Sequence, residues 1–285
     1  MRIFPISDLH LERRRLDLIA PPSGPFDVMV CAGDLYEGHP ERGLAAALAL
    51  AGARPIVLVP GNHEHYAPTG DARTAPELLA ALAAEVAHLN EGGARIHLLQ
   101  HGAACVLDGV RFVGATLWSD WSLAGRWLGP DAPDRPADPV AYAADRMTDP
   151  ITGSREYRGS IRKVDGTAWL PADAMAAHAS ERAELLAALA EPFAGPTVAV
   201  THHPPSPRAA DAFRDAPGVP WWVPAFYATT VLDDLDATAR PDLWVSGHFH
   251  AGHDLSIGRC RWVANPVEGA TYAADRVVTL ARGPA

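Results

Sequence analysis

Five short apolar runs in this chain each stop at residues able to hold a metal ion, and that recurrence constrains the fold more than any other feature. Ile56-Val57-Leu58-Val59 leads into Pro60-Gly61-Asn62-His63-Glu64. The N-terminal run ends in Asp8 and His10, and Asp27 to Cys31 precedes Gly33-Asp34. Val198 to Thr201 precedes His202-His203, and Asp242 to Val245 precedes Ser246-Gly247-His248-Phe249-His250. Short apolar runs bounded by turn residues read as buried strands. Ligands of open α/β sheets sit outside the carboxyl ends of their strands. The pattern therefore predicts that these strand ends converge on one site.

The segments between them fit an α/β layering. Met1 to Ser7, Asp27 to Cys31 and Ile56 to Val59 are expected strands, with an alanine-rich helix over Leu44 to Leu50. A second helix starts where Thr74 and Glu77 fit a capping box, and Leu78, Leu79, Leu82, Val86 and Leu89 share its apolar face. Strand, helix, strand, helix argues for helices packed on a sheet. Short strands follow at Arg95 to Leu99, Ala103 to Leu107 and Val110 to Ala115. Between Trp118 and Pro171, Pro, Asp, Gly and Arg dominate and no linker flanks the stretch. It is expected to be an irregular cap inserted at about 118–171 into a single domain spanning 1–285. A helix over Ala172 to Glu191, with Met175, Leu185, Leu186 and Leu189 facing the core, is followed by a short helix at Leu232 to Leu235. Strands near Asp254 to Ile257 and Cys260 to Val263 close an α/β (by some schemes α+β) sandwich.

Composition removes several function classes. With 285 residues, 48% of them hydrophobic, the chain can bury a sizeable core. A net charge of -10 disfavours general binding to nucleic acid or anionic membrane. It still admits an anionic substrate where bound cations dominate the local field. The N-terminus lacks a basic stretch followed by an apolar one, and no apolar segment approaches a membrane span, so a cytoplasmic location is expected. Cys31, Cys105 and Cys260 lack metal-ligand spacing and read as free thiols. No Gly-x-Ser-x-Gly elbow, His-Glu-x-x-His helix or phosphate loop ending in Gly-Lys occurs.

What the strand ends could do follows from their chemistry. Asp8-Leu9-His10 and His248-Phe249-His250 space two ligands at i and i+2, which an extended chain turns to one face. Carboxylate, imidazole and amide oxygen together suit divalent transition metals. Two such ions about 3.5–4 Å apart need an anionic bridge. Asp34, following Gly33, is the candidate bridge, and Asn62 offers a neutral oxygen. Each motif alone is more often a turn or a surface hydrogen bond. All of them in one chain, each after an apolar run, are hard to explain as independent turns.

Taken in order, Asp8-x-His10, Gly33-Asp34, Gly61-Asn62-His63-Glu64, His202 and Gly247-His248-x-His250 resemble the signature of the calcineurin-like metallophosphoesterases. The resemblance runs from Asp8 to His250. It implies a two-sheet β-sandwich flanked by helices, with a dinuclear centre of Mn, Fe or Zn at one edge. Asp8, His10 and His250 would then take one ion, Asn62, His202 and His248 the other, and Asp34 would bridge them. A bridging water would attack phosphorus in line. His63 would contact phosphoryl oxygens or protonate the leaving group. Weaker candidates are His65 and Arg208 as substrate contacts, His203 as an orienting group, and Trp118, Trp121, Trp221 and Trp222 as pocket walls. Gly33-Asp34 is followed by Leu35-Tyr36-Glu37-Gly38, and Glu64 by His65-Tyr66. The arginines that protein Ser/Thr phosphatases carry at those places are missing. The expected substrate is a small phosphodiester or phosphomonoester. A nuclease of the same superfamily and a non-catalytic metal-binding scaffold are the alternatives, and the filled His63 position argues against the scaffold.

Overall fold

The computed structural model describes residues 1–127, 135–210, 219–268 and 272–281. Two mixed sheets pack face to face. The first has the order β11-β1-β2-β3-β4, with β1 Arg2–Ile6, β2 Val28–Cys31, β3 Ile56–Leu58, β4 Ile96–Leu98 and β11 Val278–Thr279. The second has the order β5-β6-β7-β8-β10-β9. Its strands are β5 Ala103–Leu107, β6 Val110–Ala115, β7 Thr197–Thr201, β8 Leu243–Ser246, β9 His253–Ile257 and β10 Cys260–Ala264. Strands β1 to β4 run parallel, as do β6, β7, β8 and β10, so both sheets carry their carboxyl ends together.

Side chains alternate along each strand, and the alternation sorts the core into layers. Ile3, Val28, Val30, Val57 and Val59 of the first sheet meet Phe112, Val198, Val200, Val245 and Val263 of the second. Their neighbours Phe4, Met29, Cys31, Ile56 and Leu58 point outward, under helices α1 (Pro40–Ala51) and α2 (Ala75–Glu91). On the far side Val113, Ala199, Trp244 and Trp262 lie beneath Leu185 and Leu189 of helix α5 (Pro171–Ala190). Strands buried on both faces read as unbroken apolar runs, as β2 and β3 do, whereas the edge strand β9 alternates. The capping box at Thr74 and Glu77 is present.

The stretch expected to be irregular is instead structured. Its described residues carry helix α3 (Leu123–Trp127), helix α4 (Pro139–Thr148) and a 3-10 turn, Arg155–Arg158. Residues 128–134 of it lie outside the described residues. The signal missed was Asp138-Pro139: the Asp138 side chain accepts from the Val140 and Ala141 N–H groups, and proline occupies the first turn. Trp118, Trp121, Leu123, Ala143, Met147, Tyr157 and Ile161 form an apolar cluster with Tyr66 and Phe226. The segment is thereby seated on the loop after β3. Glu181 of α5 anchors its start by accepting the Leu117 N–H at 2.6 Å. Tyr142 stacks on Trp221 at 5.6 Å, and with Trp118 and Trp121 in the cluster the tryptophans pack this segment down.

Gly114 marks how closely the sheets approach. A Cβ there would meet Val59 Cγ1 at 2.6 Å and Leu99 Cβ at 2.7 Å. Overpacking of this kind costs about 1–3 kcal/mol. Gly114→Ala is expected to lower stability by that amount in urea denaturation; an unchanged midpoint would mean that the sheets do not meet at this point.

Candidate metal centre

At the carboxyl ends of β1, β2, β3, β7 and β8 the chain turns sharply, and the turns interlock. Asp8 N–H donates to Gly33 O at 3.0 Å, His10 N–H to Asp34 O at 3.0 Å, and Gly247 N–H to His202 O at 2.9 Å. His248 N–H donates to Asp8 Oδ1 and His63 N–H to Asp34 Oδ1, both at 2.9 Å. Gly61 is required at its position because a Cβ would meet Asp34 Oδ1 at 2.1 Å and the Asp34 backbone nitrogen at 2.6 Å. Asp8, His10, Asp34, His248 and His250 all have positive φ, between 43° and 68°. The i, i+2 pairs are therefore not extended, contrary to the sequence expectation. The strands end at Ile6 and Ser246, and each pair is delivered by a left-handed turn that non-glycine residues rarely adopt. Such strain persists only where surrounding contacts enforce it, and it clusters at functional sites.

Glu64, to which sequence reading gave no role, is one of those contacts. Its buried carboxylate accepts from Gly61 N–H at 2.6 Å, Asp34 N–H at 2.8 Å and Leu35 N–H at 2.7 Å. It fastens the loop after β2 to the loop after β3.

The seven candidate ligands come together. Asp8, His10, Asp34 and His250 form one group with ligand atoms mutually within 4.8 Å, and Asp34, His202 and His248 form another. Asp34 Oδ2 lies 3.5 Å from His10 Nε2 and 3.3 Å from His202 Nε2, so the two groups meet at one oxygen. Asn62 Oδ1 lies 2.8 Å from His202 Nε2 and 3.1 Å from His248 Nδ1. His10 Nε2 and His250 Nε2 are 3.1 Å apart. Two imidazole nitrogens at that distance, beside a shared carboxylate, are spaced as ligands around a common cation. The donor set fits a transition metal on that ground. His202 Nδ1 faces Ala32 O at 2.7 Å and His10 Nδ1 faces Glu12 at 3.2 Å, the outer partners that orient ligating imidazoles.

His63 stands beside these groups. Its Nε2 is 4.0 Å from Asp34 Oδ2, while Nδ1 faces Glu37 at 3.0 Å and Glu12 at 3.3 Å. Burial disfavours its charged form, but Asp34, Glu12 and Glu37 outweigh that and push the imidazole up to about 10. A cleft of about 180 Å³ opens above, lined by Asp34, Asn62, His63, Tyr66, Phe226, Tyr227, His248 and His250, with Arg13, Ser154 and Arg155 also lining it. Arg155 is paired with Glu37 at 3.0 Å. Arg13, Glu12, Glu37 and Arg155 escaped sequence reading because nothing in their local pattern separates them from surface charges. His65 and Arg208 are not brought to the cleft. His65 is buried against Trp118, ring centroids 5.0 Å apart, and desolvation pushes its imidazole down to about 3. Arg208 faces Asp233 at 3.9 Å on a half-exposed 3-10 turn. His203 packs against His248 with the rings tilted, centroids 4.1 Å apart, and its Nδ1 lies 3.3 Å from Thr116 O.

A sequence model described as calcineurin-like phosphoesterase matches residues 1–252. No curated protein matches. Among solved structures, the chain is similar to phosphopantetheinyl hydrolase (PptH) from Mycobacterium tuberculosis, at 23% identity and a TM-score of 0.60, over 95% of this chain and 89% of that one. It is more distantly similar to the sulfate thiohydrolase SoxB from Thermus thermophilus, at 15% identity and a TM-score of 0.35, over 87% of this chain and 34% of that one.

Burial lowers His202, but the charge of Asp34 and a hydrogen bond to it outweigh burial and raise the imidazole to about 9. In the ion-free protein this ring is therefore protonated at pH 7, and ligation through Nε2 must expel a proton. Metal affinity is expected to rise about tenfold per pH unit as pH climbs toward 9. Calorimetry in buffers of different ionisation enthalpy should register the released proton. An affinity independent of pH would remove His202 from the ligand set.

Proposed function

The chain belongs to the calcineurin-like phosphoesterase family, and from that premise we propose that it hydrolyses a small phosphate ester, with two transition-metal ions held side by side across Asp34. Family membership makes it a metal-dependent phosphoesterase; the pairing of the ions, the roles of residues and the kind of ester are our reading. One ion is held by Asp8, His10 and His250, the other by Asn62, His202 and His248. The observation that carries this is the place of Asp34 Oδ2, within 3.5 Å of an imidazole nitrogen from each group. When bound, the ions would neutralise charge on the phosphoryl oxygens and acidify a water toward neutral pH.

The chain's own groups account for the rest. His63 Nδ1 faces the Glu12 and Glu37 carboxylates, which leaves Nε2 as the nitrogen turned toward the candidate metal groups. In the ion-free protein Asp34, Glu12 and Glu37 raise the His63 pKa, and the two glutamates beside Nδ1 would favour a charged ring suited to contact a phosphoryl oxygen and to give its proton to a departing alkoxide. Arg13 and Arg155 supply a basic rim in an otherwise acidic chain, positioned to hold non-reacting anionic oxygens. Tyr66, Phe226 and Tyr227 offer aromatic surface to the ester's organic part. A cleft of about 180 Å³ suits a small phosphodiester or phosphomonoester better than a polymer. The insertion at 118–171 we read as part of one domain, since it shares its apolar cluster with Tyr66 and Phe226.

The test is a hydrolysis panel supplemented with Mn, Fe or Zn and containing a small diester, its matching monoester, a cyclic nucleotide and single-stranded DNA. A phosphopantetheinyl ester joins it because of the likeness in fold to a hydrolase of that name. Turnover of a small ester, abolished by chelation, is expected. Activity confined to DNA would replace this reading with a nuclease. His63→Ala is expected to keep its metal content and lose about 10²–10⁴ in kcat; loss of metal would make His63 a ligand instead.

A further inference from the structure

Among the proposed ligands, Asn62 alone has a side chain with two chemically different ends of the same shape. Its oxygen can take a cation, whereas its NH2 can only donate hydrogen bonds. A half-turn of the amide exchanges them with little change in packing, so something must decide which end faces the metal groups. On the inner side Oδ1 lies 2.8 Å from His202 Nε2 and 3.1 Å from His248 Nδ1. On the outer side Nδ2 donates to Glu156 Oε2 at 3.0 Å and to Tyr66 Oη at 3.1 Å. The Tyr66 hydroxyl donates its own proton to the same Glu156 oxygen, at 3.1 Å, which leaves its lone pairs for Asn62. With the amide reversed, its oxygen would face the Glu156 oxygen at the same short range.

Glu156 is fully buried, at 0% exposure, although it belongs to the insertion and sits in the single turn Arg155–Arg158. A carboxylate is taken out of water only where hydrogen bonds compensate, and here Asn62 and Tyr66 both donate to one of its oxygens, Oε2. Its neighbour Arg155 turns the other way, to Glu37 and the cleft.

We propose that Glu156 is a positioning residue: a buried acceptor, supplied by the insertion, that locks the Asn62 amide with its oxygen toward the second ion. The inference rests on the dinuclear reading above. Removing the acceptor frees the amide to rotate, and the ion held by Asn62, His202 and His248 loosens while the ion held by Asp8, His10 and His250 does not.

The test compares full-length wild type, Glu156→Ala and Glu156→Gln by calorimetric titration with Mn and Zn alone, with elemental analysis after dialysis. For Glu156→Ala the second binding step is expected to weaken about 10- to 100-fold with the first unchanged. Glu156→Gln, whose side-chain oxygen can still accept from Asn62, is expected to stay within about threefold of wild type in both steps. If the alanine variant does not fold, Glu156→Met, which fills the volume without an acceptor, is read in its place. Equal affinities in wild type and the folded acceptor-free variant would overturn the role of Glu156 alone. A glutamine variant as weak as alanine would overturn the acceptor argument. Wild type that binds only one ion would overturn the dinuclear reading and this inference with it.

Discussion

Asp34 places a carboxylate, at 1% exposure, among the imidazoles of His10, His63 and His202. A buried charge of this kind is tolerated only when fully paired and hydrogen-bonded. Here one oxygen, Oδ2, faces all three rings, and the other accepts the His63 N–H. That arrangement requires the loops after β1, β2, β3, β7 and β8 to approach within a few ångströms of one another. The motif glycines make the approach sterically feasible, as Gly61 shows against Asp34 and Gly247 against Asp8, where a Cβ would meet Oδ2 at 2.8 Å. Glu64 then binds two of the loops together through their N–H groups.

The sandwich supplies the frame for this. Parallel strands from both sheets end at the same edge, and the apolar layer between them fixes their relative height through contacts such as Gly114 on Val59 and Leu99. Burial of each large aliphatic residue contributes roughly 1.5–3 kcal/mol. A frame stabilised in this way can hold several residues with positive φ at its rim, where unsupported loops would relax. The segment at 118–171 adds a second support: its apolar cluster seats it on Tyr66, and from there Arg155 reaches Glu37 and Glu156 reaches Asn62.

Much of the candidate metal centre was legible in the sequence because its side-chain types are few and each follows a strand that reads as a short apolar run. The choice of His202 over its neighbour His203 came from the resemblance to the family, whereas Asp8, His10, Asp34, Asn62, His248 and His250 could be singled out by chemistry and position together. The local backbone could not, since nothing in Asp-x-His separates an extended pair from one carried by a left-handed turn. Glu156 was beyond reach for a different reason. Its partner Asn62 lies 94 residues earlier, and an Arg-Glu-Tyr-Arg stretch looks like solvated surface until the fold buries it. The same holds for Glu12 and Glu37, whose value lies in which imidazole they face. Helix α4 was missed although Asp138-Pro139 announces it, because proline and aspartate were read as loop composition rather than as a cap. Strand β11 has two residues and pairs antiparallel with β1 from the far end of the chain, a contact without local signal.

The account stands or falls on a single carboxylate oxygen shared by two ions. Protein loaded with Mn and read by electron paramagnetic resonance tests that directly, since two Mn ions joined through one carboxylate are close enough to couple magnetically. The account predicts two Mn per chain with a coupled, multiline spectrum, and single-ion signals in Asp34→Asn. Two ions per wild-type chain giving only isolated, uncoupled signals would contradict it.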